Sequence, residues 1–81
     1  MEKQLFNQSL DYQKTHNWSL LNTVYKQILK SPNVNNEILS EMLPVQMSLL
    51  NQQHTLQETL FLSLQIIKRY LLICSYHRLA P

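Results

Sequence analysis

The sequence of 81 residues contains no glycine and a single cysteine. Without glycine, the chain lacks the tight phosphate-binding loops in which residues adopt positive φ and the backbone approaches a nucleotide closely. A single cysteine excludes an internal disulfide, and three histidines spread along the chain do not complete a structural zinc site with it. A domain this small buries only about 60% of the surface that its unfolded chain exposes, so we expect another chain to stabilise it.

Charged residues are few, and they form no dense cluster. Seven Lys and Arg stand against five Asp and Glu, and the only adjacent cations are Lys68 and Arg69. Nucleic-acid binding requires a basic face, so this distribution argues against it. The same pair interrupts the longest apolar stretch, which leaves no run of the roughly 20 residues that a membrane span needs. A chain of 81 residues allows one small domain, over residues 1–81. Because the N-terminus lacks a signal-peptide pattern, we expect this domain in the reducing cytoplasm.

Apolar residues recur at spacings of three and four, which predicts an all-α fold, a small bundle of three to four helices. The first helix is predicted from about Lys3 to Lys14. The second, capped by the side chain of Asn17, extends to about Lys30. The segment Ser31-Pro32-Asn33 ends it, since proline disfavours helix in the residue before it.

A third helix is predicted to start near Asn35, with a kink or short restart at Pro44, which lacks an amide hydrogen. Thr55 and Glu58 have the spacing of a capping box, which predicts that a fourth helix begins there and ends at about Arg78. A single bent helix through residues 52–54 is the alternative, because nothing in that segment forbids one.

The fourth helix is apolar on nearly every side. A broad face contains Leu60, Leu64, Ile67, Tyr70, Leu71, Ile73 and Cys74. The opposite face combines polar and apolar residues, namely Gln65, Lys68 and Arg69 with Phe61, Leu72, Tyr76 and Leu79. A helix of this kind must be covered on nearly all sides, and three other short helices cover only part of it. The apolar surface that remains uncovered is either the middle of the bundle or a docking surface for another protein.

For a docking surface, the sequence predicts Phe61, Leu72 and Tyr76 as anchors, with Gln65 and Lys68 at the edge. These are the residues that the broad apolar face leaves over. Elsewhere, Met42 and Met47 suit either core filling or an adaptable groove for a partner helix.

Two pairs of residues have a spacing that suits chemistry. Cys74 and His77 lie three residues apart on a predicted helix, but no third ligand or orienting acid is near, and a lone cysteine on an apolar face is usually a buried hydrophobe. Glu37 and Glu41 lie one turn apart, where carboxylates usually complement the helix dipole. We therefore predict no catalytic residue, no metal site and no cofactor, and a protein that is not an enzyme.

Residues 17–39 resemble a degenerate tetratricopeptide unit. Trp18 opens its second helix, the packing positions of that helix are apolar, and a proline-containing turn precedes the next helix; the apolar packing residues are Leu21, Val24 and Ile28. The small residues that the repeat has at close helix contacts are absent. The resemblance covers about a quarter of the chain and implies helical-hairpin packing.

In length, helical pattern and apolar C-terminal helix, the chain is similar to small cytoplasmic components of bacterial type III secretion systems. Residues 52–56, followed by Ile66-Ile67 and Tyr70, resemble the second helix of the hairpin-type needle-subunit co-chaperones. The needle and inner-rod subunits share the size and a proline–asparagine turn, but Pro44 and residues 74–77 fit their polymerising helix poorly. The co-chaperone resemblance implies a protein that holds an aggregation-prone helix in a groove until export.

Taken together, these patterns predict a non-enzymatic adaptor or co-chaperone that docks a partner helix by helix-in-groove burial. A self-assembling structural subunit is an alternative, because the same apolar stripe can bind copies of the chain as a homo-oligomer. A small helix-turn-helix regulator is another, with its turn at residues 31–33. The following helix carries Glu37 and Glu41 where DNA binding requires cations.

Overall fold

The computed structural model describes the backbone of residues 2–32, 34–53 and 55–79, and the side chains of these segments as far as Leu72. It consists of four helices: α1 (Glu2–Lys14), α2 (Trp18–Lys30), α3 (Asn36–Asn51) and α4 (Leu56–Leu79). No strand occurs among these described residues. The prediction of a small all-α bundle is therefore confirmed.

Asparagine side chains cap both internal helices. The Asn17 side-chain oxygen accepts a hydrogen bond from the Leu20 amide at the start of α2, at 3.5 Å. The equivalent oxygen of Asn35 accepts from the Ile38 amide at 2.9 Å, at the start of α3. Each bond satisfies an amide that has no carbonyl partner in the first turn, so these two helices begin where the sequence predicts.

Helix α3 continues through Pro44 without a break, so the short restart predicted there does not occur. Proline removes only one donor, and residues of α3 on both sides of Pro44 are held by core contacts. The single bent helix through residues 52–54 is also not formed. Gln53 and Thr55 have φ of 57° and 41°, in the left-handed region, and the chain turns between α3 and α4.

Helix α4 begins at the predicted place, but Thr55 and Glu58 make other contacts than those of a capping box. The Thr55 hydroxyl accepts from the Asn22 amide group at 3.4 Å and lies 3.1 Å from the Thr59 hydroxyl. The Glu58 carboxylate pairs with the Lys26 ammonium at 3.5 Å. Both residues thus join α4 to α2.

The four helices form two hairpins that pack through α2. Helix α1 packs against α2, α3 packs against α4, and α2 also contacts α4. The core between them is apolar and draws most residues from α2 and α3: Leu21, Val24, Tyr25, Ile28, Val34, Ile38, Leu39, Met42, Leu49, Leu62 and Ile66. The amphipathic stripe predicted for α2 is the part of this core that the sequence shows most clearly.

A buried polar layer crosses the core near one end of the bundle. The Gln46 amide group donates to the Asn22 side-chain oxygen at 3.0 Å, and both side chains are fully buried. Asn22 in turn donates to Thr55, which extends the layer to the start of α4. The layer connects α2, α3 and the start of α4 through two directional side-chain hydrogen bonds.

Candidate docking surface on helix α4

The side of α4 that faces the core is rich in polar residues. Thr59 and Ser63 are buried there with Leu62 and Ile66, and the Ser63 hydroxyl donates to the Thr59 carbonyl at 2.8 Å. The polar layer formed by α2 and α3 lies next to this side of α4 at its beginning. Hydrogen-bonding side chains therefore occupy positions that leucine fills in an ordinary amphipathic helix.

Along its described length, α4 also exposes large hydrophobic side chains, most of them on the side away from the core. Eight of them are between 37% and 57% exposed, namely Leu56, Leu60, Phe61, Leu64, Ile67, Tyr70, Leu71 and Leu72. In most surface helices the polar side faces water. Helix α4 has apolar residues both in the core and on its exposed side, so apolar surface is left available to another molecule.

Four of the exposed residues form what we call the outer ridge: Leu60, Leu64, Ile67 and Leu71. They belong to the broad apolar face identified in the sequence, and the structure leaves that face exposed. Their spacing of four, three and four residues is that of the a and d positions of a coiled coil. The outer ridge therefore has the periodicity with which one helix packs along another.

The residues predicted to bind a partner follow the edge of α4 beside the outer ridge. Phe61 and Leu72 are 56% and 57% exposed, Lys68 is exposed, and Gln65 is half-buried. These four are also spaced by four, three and four residues, so they share one face. The side chain of Tyr76, the remaining predicted anchor, lies outside the described residues.

A groove between α2 and α4 contains two of these predicted residues. Its volume is about 310 Å³, and it is lined by Lys26, Leu29, Lys30, Phe61, Leu62 and Gln65. The leucines provide an apolar floor and the lysines a cationic rim. We call this feature the α2–α4 groove. The contribution of α2 to it was not evident from the sequence, because it depends on how two helices pack.

Arg69 fixes the far end of this groove. Its guanidinium donates to the carbonyl of Leu29 at 2.7 Å and to that of Ser31 at 2.8 Å, at the C-terminus of α2. Carbonyls at a helix C-terminus lack intrahelical donors, and a cation there also complements the helix dipole. Of the adjacent pair Lys68 and Arg69, therefore, Lys68 is exposed and Arg69 holds two helices together.

A second groove lies between α3 and α4. It has a volume of about 440 Å³ and is lined by Leu39, Ser40, Leu43, Pro44, Met47, Ile66 and Tyr70. Met47 is 49% exposed and borders this groove, whereas Met42 is fully buried in the core. The two methionines that the sequence left open therefore have different roles.

The residues considered for chemistry are not assembled into a site. Glu37 and Glu41 are exposed and line a cavity of about 450 Å³ with Glu2 and Lys3. The side chains of Cys74 and His77 lie outside the described part of the molecule. Among the described residues, no group of three or more His, Cys, Asp or Glu is arranged to hold a metal ion, and no helix is long and apolar enough to cross a membrane.

No family model matches the chain, and no curated protein or solved structure resembles it closely enough to count as a match. Its function is therefore inferred from the surface of α4.

Proposed function

We propose that the protein is a helical adaptor or co-chaperone in the cytoplasm, which holds a helix of a partner protein against α4. The observation that supports this proposal is the exposure of eight large hydrophobic side chains on one helix. Monomeric proteins rarely expose a contiguous apolar patch of more than a few hundred Å², and larger patches mark interaction sites. A partner helix covers such a surface with apolar residues at positions i, i+3, i+4 and i+7.

Within this surface, Phe61 and Leu72 act as anchors, and Gln65 and Lys68 form the edge of the contact. Tyr76 lies one turn after Leu72 in α4 and extends the same line of residues. Anchors of this size typically cost about 2 kcal/mol or more of binding free energy when they are truncated at the centre of an interface. We extend the proposal to a needle-subunit co-chaperone of a type III secretion system on the resemblance described above.

The proposal is tested by replacing both anchors at once, Phe61→Gln with Leu72→Gln, and purifying the chain from its native host. We expect the variant to lose a stoichiometric protein partner that the unchanged chain retains, with equal helicity by circular dichroism. The control is Leu10→Gln with Leu20→Gln, because these leucines are also exposed but lie on α1 and α2. Retention of the partner by the anchor variant would contradict the proposal, as would equal loss in the control.

The coiled-coil spacing of the outer ridge favours a second candidate, a subunit that assembles with copies of itself. Light scattering on the purified chain over a range of concentrations distinguishes the two. Growth into large polymers would indicate self-assembly, whereas a constant mass together with capture of a different protein would indicate an adaptor.

A further inference from the structure

The α2–α4 groove combines an apolar interior with lysines at its rim. A helix is about 10–12 Å in diameter with its side chains, so a groove of about 310 Å³ admits side chains of a partner while the partner's backbone lies above it. The half-buried Leu29 and the exposed Phe61 offer apolar contact to those side chains, above the buried Leu62. The half-buried Gln65 amide adds a hydrogen-bonding group in the wall.

The positive charge along this groove is not balanced by the two helices that form it. Helix α2 contains no Asp or Glu, and α4 contains none after Glu58. Glu58 is already paired with Lys26 at the beginning of the groove. Lys30 lines the groove at its other end and is exposed, and the exposed Lys68 follows the lining residue Gln65 by about one turn of α4. An occupant that complements these two lysines carries negative charge.

The same charges argue against the α4 helix of a second copy, or a lipid surface, as the occupant. Two α4 helices packed together bring Lys68 into an interface to which neither helix contributes a carboxylate after Glu58. Helices that lie on anionic membranes usually carry many cations along their polar face. The described side chains of α4 include only Lys68 and Arg69 as cations, and Arg69 is bound to the carbonyls of α2.

We infer that the partner helix is acidic: it inserts apolar side chains into the α2–α4 groove between Leu29 and Phe61, and places carboxylates against Lys30 and Lys68. This inference rests on the proposed function and names the chemistry of the partner. Opposite charges at the rim guide the encounter and fix the position of the bound helix, while the apolar contacts supply most of the affinity.

The experiment uses the full chain and two synthetic helical peptides with one identical leucine stripe. One peptide has glutamates beside the stripe and the other has lysines at the same positions. Fluorescence anisotropy at about 50 mM salt should give at least about tenfold tighter binding of the acidic peptide, and the preference should shrink at about 500 mM salt because screening is stronger.

Two charge reversals test which lysines cause the preference for the acidic peptide. Lys30→Glu and Lys68→Glu should each weaken binding of the acidic peptide, by about tenfold when combined. Lys14→Glu is the matched control, because Lys14 ends α1 as Lys30 ends α2, and the change in charge is the same. Equal effects of Lys14→Glu and Lys30→Glu would overturn the assignment to this groove.

The remaining outcomes separate the inference from the proposed function. If both peptides bind equally and Phe61→Gln weakens both, helix docking holds and the acidic partner is wrong. If the chain binds neither peptide, the inference is overturned, and the purification from the native host decides the function. Two other results would also overturn the inference. Binding to phosphatidylglycerol vesicles without peptide binding would assign the surface to lipid. A dimer that is seen by light scattering and persists in Lys68→Glu would assign the surface to a second copy of the chain.

Discussion

Replacing Arg69 by methionine is expected to destabilise the fold by removing the link between α4 and the end of α2. Methionine keeps much of the aliphatic stem, which packs along the helices, and removes the guanidinium that donates to Leu29 and Ser31. The two carbonyls then lose their charged donor in a partly buried position. Arg69→Lys should destabilise less than Arg69→Met, because the ammonium group is still a charged donor. It should not restore full stability, because it lacks the fork that reaches both carbonyls.

The expected size of this effect follows from the two bonds. A hydrogen bond to a charged group contributes about 1.5–3 kcal/mol to the free energy of unfolding. Arg69 is partly exposed and water replaces some of this contribution, so we expect a total loss of about 2 kcal/mol. In a domain of this size, that loss lowers Tm by about 8–16 °C.

Urea unfolding followed by circular dichroism measures the change in free energy, and a thermal scan measures Tm. Lys68→Met is the matched control, because Lys68 is the neighbouring residue and is exposed. We expect it to change stability by less than about 0.5 kcal/mol. If Arg69→Met and Lys68→Met have the same stability, the contacts of Arg69 with α2 do not contribute to the fold and the reasoning is refuted.

Two further predictions concern buried polar groups. Gln46→Met should cost about 1–3 kcal/mol of unfolding free energy, because it leaves the Asn22 oxygen without a donor. Adding Asn22→Leu should recover part of this loss. Additive losses in a double-mutant cycle, measured by urea unfolding, would contradict the pairing. Burial raises the pKa of the Tyr25 phenol above its usual value of 10, and a side-chain hydrogen bond with Ser9 offsets part of this rise. Above about pH 10 the unfolded chain loses this proton while the folded chain keeps it, so the free energy of unfolding should fall by up to about 1.4 kcal/mol per pH unit. Urea unfolding at several pH values measures this slope, and the same slope in Tyr25→Phe would exclude Tyr25 as the cause.

The sequence predicts α2 well because the whole signal lies within one helix. The cap at Asn17, the apolar stripe and the proline after Ser31 are local features, and each has the predicted effect in the structure. The start of α4 near Thr55 is also predicted from a local pattern, although Thr55 and Glu58 do not form the capping box that suggested it. Local periodicity and capping determine where helices begin and end, and they do so independently of the rest of the chain.

The orientation of α4 was harder to predict because it depends on residues far away in the chain. Periodicity favours burial of the leucine-rich face, but Asn22 and Gln46 place polar groups where α4 packs, and Thr55 at the start of α4 satisfies one of them. Arg69 likewise bonds to residues about 40 positions earlier. The residues of these pairs lie in different helices, so the sequence pattern of a single helix does not reveal the pairs. The exposure of the outer ridge therefore became apparent only from the packing of the hairpins.

The hairpin arrangement also has a consequence for the order of folding. Most helix contacts lie within α1–α2 or within α3–α4, pairs that are adjacent in the chain, and such low contact order is typical of fast folding. Docking of the hairpins requires the more distant bonds of Asn22 to Thr55 and of Arg69 to Leu29. We therefore expect the α3–α4 hairpin, with its outer ridge, to form before the α2–α4 groove closes. A partner that binds during synthesis therefore contacts the outer ridge first and binds in the α2–α4 groove in a later step.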